Sequence, residues 1–172
     1  MLKLSRISAV LGTLILSLIV TGNTIAQQAE LRNRTDPAEN LTTSGQPDLA
    51  SLENLAESGY TTIIDLRRPQ EDRGIDERAA VEGYGMNYVT LPVDGADGVT
   101  FENAEELNRL LAEADGPVLV HCGSGNRAGA LLALGEKLNG ADNEAALAFG
   151  LDAGLTGLEP VVRERLESGD MH

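Results

Sequence analysis

Apolar positions recur in two rhythms along the chain. Leu49, Leu52, Leu55 and Ala56 share one face at helical spacing behind Asp48, a capping residue, and Gly59 follows. This predicts an amphipathic helix that stops where the β-rich run "YTTIIDL" begins. The pattern then repeats. A second helix is predicted from about Asp76 to Glu82, a strand over "MNYVTLPV", a third helix behind Thr100 carrying Leu107, Leu110 and Leu111, and a buried strand "PVLVHC". Beyond it, "RAGALLALGEKL" predicts a buried helix closed by Asn139 and Gly140, with further helices near 142–152 and 158–167. Strands separated by helices specify an α/β domain whose mainly parallel sheet is covered on both faces. Residues 27–39, "QQAELRNRTDPAE", show no apolar period and are expected to form a flexible lead-in, with order beginning near Asn40.

The first 26 residues follow a different rule. Lys3 and Arg6 precede an apolar stretch from Ile7 to Val20, and small polar residues end at Ala26. That is the layout of a secretory signal peptide, and its apolar run is shorter than the ~20 residues that span a bilayer. No cysteine follows the run and no twin arginine precedes it. The expectation is an exported chain, periplasmic in a Gram-negative host, with no stable membrane insertion after cleavage and one domain over residues 40–172. Its 172 residues, 42% hydrophobic, suffice for a buried core. After cleavage 11 basic residues face 27 acidic ones, a balance of −16. Nucleic acid and anionic membrane are therefore poor partners.

Cys122 is the only cysteine, so no internal disulfide can form, and with two histidines it cannot assemble a zinc site. No metal or cofactor is expected. The thiol stands directly after a buried strand, in "HCGSGNRAG", where a parallel sheet places ligands and a loop turns into a helix N-terminus. Gly123 and Gly125 let the backbone turn its N–H groups inward around Ser124 and Asn126, and the positive end of the following helix adds to their field. Such surroundings favour the thiolate. Arg127, at the far end of the same turn, can fold back and clamp two oxygens of a tetrahedral anion. One loop thus offers a nucleophile and charge stabilisation together.

At these residues the chain resembles two families. "HC", a glycine-containing loop and an arginine look like the signature of the cysteine-dependent tyrosine and dual-specificity phosphatases, which work through a phosphocysteine. Those enzymes place five residues between cysteine and arginine and a hydroxyl residue after it; here four intervene, "GSGN", and Ala128 follows. The shorter ring is similar to that of single-domain rhodaneses, which carry a persulfide. Outside the loop, "TSGQPDLASLENLAESGYTTIIDLR", "AAVEGYGMNYVTLPV", "GPVLVHCGSGNRAGAL" and "EAALAFGLDAGLTGLEPVVRERL" resemble the phosphatase-like domain of the beta-lactamase hydrolase-like proteins, over about residues 40–168. That family is similar to dual-specificity phosphatases in fold and keeps the shorter loop. It has also been labelled a sulfur transferase.

The resemblance implies an acid on the loop before Cys122, and "LPVDGADG" offers Asp94 and Asp97, 28 and 25 residues upstream. Asp94 lies where the resemblance places the acid. Arg67, at the end of the "IIDL" strand, is read either as lining the pocket, a role that the resemblance also implies and that Arg68 could share, or as part of a surface ion pair. His121 is read either as a support of the thiolate or as a core residue. Ser124 can assist departure of the thiolate or satisfy the turn, and Gln46 in "SGQP" belongs to a family-like motif. The leading reading is a phosphate-monoester hydrolase acting through Cys122 on a phosphorylated small molecule or protein. A sulfurtransferase using a Cys122 persulfide and a non-catalytic oxyanion-binding module are the alternatives. With two Phe, three Tyr and no Trp, little aromatic surface remains to wall a deep phosphotyrosine slot.

Overall fold

Four helices begin where a short polar side chain can accept a first-turn amide. In this computed structural model, which describes residues 30–169, Asp48 accepts from the Ser51 N–H at 2.8 Å and starts α1 (Leu49–Glu57). Asp76 starts α2 (Glu77–Gly83), Thr100 starts α3 (Phe101–Glu113) and Asp142 starts α5 (Asn143–Asp152), each by the same contact three residues on. Each cap satisfies an amide that the helix itself leaves orphaned. Helix α4 (Asn126–Leu138) differs from these four. It starts behind Gly125, whose φ of 93° lies in the left-handed region and which has no side chain to accept from the first turn. Helix α6 (Glu159–Ser168) completes the set.

The strands are β1 (Thr35–Ala38), β2 (Leu41–Ser44), β3 (Thr62–Asp65), β4 (Asn87–Thr90) and β5 (Val118–His121). They form one sheet in the order β1-β2-β5-β3-β4, with β1 antiparallel to β2 and the other pairs parallel. The mainly parallel α/β architecture is as expected. The lead-in is not: residues 35–38, assigned to a flexible segment, are an edge strand. Its pairing is polar, with Thr35 Oγ1 2.7 Å from Thr43 Oγ1 and the Thr42 hydroxyl donating to Asp36 at 2.5 Å, so it carries no apolar period to read. The expected signal peptide lies outside the described residues.

Strand alternation divides the interior. Ile63 and Leu119 face α1 and α2, packing with Leu52, Leu55, Val81 and Met86. Ile64, Val118, Val120 and Cys122 face the opposite way, against Leu107 of α3 and Ala128, Leu131 and Leu132 of α4. A second layer, Ala130, Ala133 and Leu134 with Ala146, Leu147, Val162 and Leu166, fixes α5 and α6 to the outer side of α4. The crossing of α4 and α5 is close. A Cβ on Gly129 would stand 2.2 Å from the Leu155 nitrogen and 2.6 Å from the Gly150 carbonyl oxygen.

Candidate active site

Register brings Ser44, His121, Asp65 and Thr90 into one row, the carboxyl edge of the parallel strands. The chain leaves this edge at four adjacent points, so the loops after β2, β3, β4 and β5 meet there. Cys122 is the first residue beyond β5. It is 1% exposed, and its Sγ accepts the Gly125 N–H at 3.2 Å.

The loop's peptide groups are held from outside. Arg32 Nη2 donates to the Gly123 carbonyl at 2.6 Å, and Asn33 Nδ2 donates to the Ser124 carbonyl at 3.0 Å. In a trans peptide the N–H points away from the carbonyl. Drawing these two carbonyls outward therefore turns the Ser124 and Gly125 N–H groups inward, and the Gly125 N–H does meet the sulfur. Gly45 closes the bracket. Its N–H donates to the Arg32 carbonyl at 2.7 Å, and a Cβ there would lie 3.1 to 3.2 Å from Arg32 and the Gly123 carbonyl. Gln46 donates to the Arg73 carbonyl at 2.6 Å. The "SGQP" segment thus has a physical role: its glycine permits close approach and its glutamine ties the β2 loop to the β3 loop.

Arg127 follows from the second position of α4. Its guanidinium is gripped by Glu71, with Nη1 2.6 Å from Oε1 and Nη2 2.7 Å from Oε2, and Nη1 also donates to the Val93 carbonyl at 3.1 Å. The Arg127 hydrogen bonds, against some desolvation, hold Glu71 down to about 2. The same pairing raises Arg127, and the Cys122 side chain adds to that shift. The arginine therefore sits charged beside the sulfur, its plane fixed by two prongs. Sequence reasoning missed Glu71, because the turn Arg68–Glu71 that aims it carries no apolar or catalytic pattern; its signal was only an acid close behind a strand end.

The other expected residues divide. Asp94 stands on the loop after β4, 66% exposed, with Oδ1 2.5 Å from Arg68 Nη1, and Arg68 in turn approaches Glu71 at 3.8 Å. Asp94 thus joins the Glu71–Arg127 group through Arg68, whereas Asp97 is an exposed turn residue. Asn126 spends its side-chain oxygen on the Thr156 and Leu158 N–H groups, anchoring the α5–α6 loop beside the cradle. Ser124 is exposed.

Arg67 is a correction. It does not line the cysteine pocket but is 1% exposed, bound to Asp65 at 2.8 and 3.0 Å and to Glu77. Asp65 accepts the Arg67 N–H through its side chain, a local turn that draws the guanidinium onto the α1–α2 face, so Arg68 takes the exposed place. Strand parity puts His121 on that face too. Its Nε2 lies 2.7 Å from Glu77 Oε1, without hydrogen-bond alignment, and His121 is a core residue on the opposite side of the sheet from Cys122. Burial would raise Asp65, but hydrogen bonds from Arg67 and Tyr88, with the neighbouring His121 imidazole, bring it to about 2. Burial and the Asp65 bond push Tyr88 up to about 12. Asp65, Glu77 and His121 offer ligand-type atoms within 4.8 Å of one another, the one such grouping among the described residues. Arg67 is bound to both carboxylates and Arg73 lies 3.2 Å from Asp65, so the charge is already balanced without a cation.

Comparison with known proteins agrees with this fold. Two beta-lactamase hydrolase-like proteins, from Agrobacterium fabrum and Xylella fastidiosa, are each 38% identical, over 106 and 109 residues, 59% and 61% of this chain. The chain spans about a quarter of the length of these curated relatives. Among solved structures, a candidate phosphatase of Neisseria meningitidis superposes with a TM-score of 0.68 at 27% identity, covering 79% of this chain and 97% of that one. TpbA of Pseudomonas aeruginosa superposes at 0.60 with 25% identity, over 79% and 88% of the two chains, and its cysteine-to-serine variant has been crystallised with phosphotyrosine. Residues 19–149 match the family described as "DSP-PTPase phosphatase fused to NAD+ Kinase". A cysteine-bearing loop at the carboxyl edge of a mainly parallel sheet, and a family match over most of the chain, lead to one conclusion: the chain belongs to this dual-specificity-type phosphatase family.

Proposed function

We propose that the protein hydrolyses phosphate monoesters through a phosphocysteine on Cys122. The observation that carries this reading is the meeting, at one loop, of a sulfur bonded by an inward N–H and an arginine held flat by a carboxylate. The Cys122 thiolate attacks phosphorus, and the bond to the leaving oxygen breaks. Arg127 and the loop N–H groups hold the equatorial oxygens, whose charge they match throughout. Asp94 donates a proton to the leaving alcohol; its carboxylate then accepts one from the water that releases phosphate and regenerates the thiolate. The exposed position of Asp94 lets it exchange Arg68 for the substrate. The substrate class is a phosphorylated small molecule or protein, met outside the cytoplasm by an exported chain.

The test is a paired assay on purified protein: release of phosphate from an aryl phosphate, and transfer of sulfur from thiosulfate to cyanide, each with Cys122→Ser as control. Phosphate release that vanishes with the thiol is expected. Cys122-dependent sulfur transfer without phosphate release would replace this reading with a sulfurtransferase, and oxyanion binding with neither turnover would make the domain a binding module.

A further inference from the structure

Four intervening residues, two of them glycine, leave the Cys122 loop with little of its own to fix its peptide planes. What fixes them comes from 91 positions away in the chain. We propose that Arg32 and Asn33 are positioning residues that set the anion-binding orientation of this loop by holding the Gly123 and Ser124 carbonyls outward. The proposal rests on the reading of Cys122 as the reacting atom and assigns no chemistry to the two residues themselves.

Three observations converge. The carbonyl held by Asn33 belongs to the same peptide group whose N–H meets the Cys122 sulfur at 3.2 Å, so the lever and its effect sit at two ends of one planar unit. The charged guanidinium of Arg32, at 2.6 Å, polarises the preceding peptide and strengthens the Ser124 N–H as a donor. The lever is itself braced. Asn33 has a φ of 54°, a left-handed conformation that asparagine tolerates better than most residues, and the Arg32 carbonyl is tied to the Gly45 N–H at 2.7 Å. Gly45 and Ser124 also form a β-bridge, which locks the β2 loop to the cradle.

A donor turned inward only when its carbonyl is held outward should bind an oxyanion less well once the holder is removed. The experiment uses the full chain and reads alkylation of Cys122 by iodoacetamide, together with protection from alkylation by inorganic phosphate. Neither readout requires turnover, so the proposal is tested even if the hydrolytic reading fails. Arg32→Ala is expected to raise the phosphate concentration for half-protection about tenfold, the effect of one well-placed hydrogen bond, and Asn33→Ala severalfold. Arg32→Lys, which keeps a charged donor, should recover most of the loss while Arg32→Gln recovers less. Arg34→Ala is the control, since Arg34 pairs with Asp36 on the surface. Protection unchanged in folded Arg32→Ala and Asn33→Ala proteins would overturn the proposal. So would a loss in Arg32→Ala that Lys does not rescue, which would mark packing rather than carbonyl capture. If Arg32→Ala does not fold, Arg32→Gln and Asn33→Ala decide by the same criterion.

Discussion

Glu71 and Arg127 face each other through two nearly equal contacts, 2.6 and 2.7 Å, that bridge the loop after β3 and the helix after β5. The pair keeps the guanidinium from swinging away in the absence of substrate, which reduces what must be ordered on binding. Glu71→Gln keeps the shape but loses the charge. It should lower kcat/KM for an aryl phosphate by about tenfold, mostly through KM, as steady-state kinetics will show.

The same pair has a pH signature. The folded value of Glu71, about 2, lies below its ordinary 4.5, so its contribution to stability is complete above the unfolded value and fades as pH falls from about 4.5 toward 2. Urea denaturation should therefore find Glu71→Gln less stable than the parent at neutral pH, with the gap narrowing by pH 3. A gap independent of pH would mean that the pair's charge is not what stabilises it.

Replacement of Arg127 by lysine keeps the charge and loses the fork. Lysine cannot meet both Glu71 oxygens and both oxygens of an anion, so turnover should fall by roughly 10²- to 10³-fold. Phosphate release measured beside thermal unfolding will separate this from misfolding.

Asp94→Asn should depress turnover of an alkyl phosphate far more than that of a nitrophenyl phosphate, whose leaving group needs little protonation. Asp97→Asn, altering an exposed turn residue, should be mild. Equal loss on both substrates, or a larger effect at position 97, would remove Asp94 from the acid's place.

Arg67→Ala should act on folding rather than on substrate affinity. It leaves Asp65 and Glu77 buried without their shared cation, a change of about 3–5 kcal/mol in comparable buried pairs. Denaturant titration should register that loss, while KM of the folded fraction stays near the parent value.

The helix order, the caps at Asp48 and Thr100 and the placement of Cys122 and Arg127 were legible in the sequence because each rests on a local rule: apolar period, a short polar cap, or glycines beside a strand end. What escaped was non-local or polar. Strand β1 joins β2 through threonines and an aspartate, so burial left no pattern in it. Glu71 acquires its role from Arg127, 56 residues on, and Arg32 and Asn33 acquire theirs from carbonyls on another strand's loop. For Arg67 the strand-end position was right but the direction was wrong. A chain's departure from a sheet edge is readable, whereas the side to which a long charged side chain turns depends on partners, here Asp65 and Glu77, that only folding brings together.

His121 and Cys122 are neighbours in sequence and strangers in space, one in a charged store beneath the sheet and one in the apolar layer above it. The sheet acts as a partition, and its parity decides which chamber receives which residue. A single residue inserted within β5 would move the imidazole into the place of Cys122, among leucines, set Val120 beside the carboxylates, and push the thiol one position on, out of its apolar layer. Downstream of Cys122 the constraint continues, because the turn to Arg127 is gripped at the Gly123 and Ser124 carbonyls by another segment, and an added residue would draw them off Arg32 and Asn33. The strand that delivers the sulfur and the turn that cradles it are thus both fixed in length.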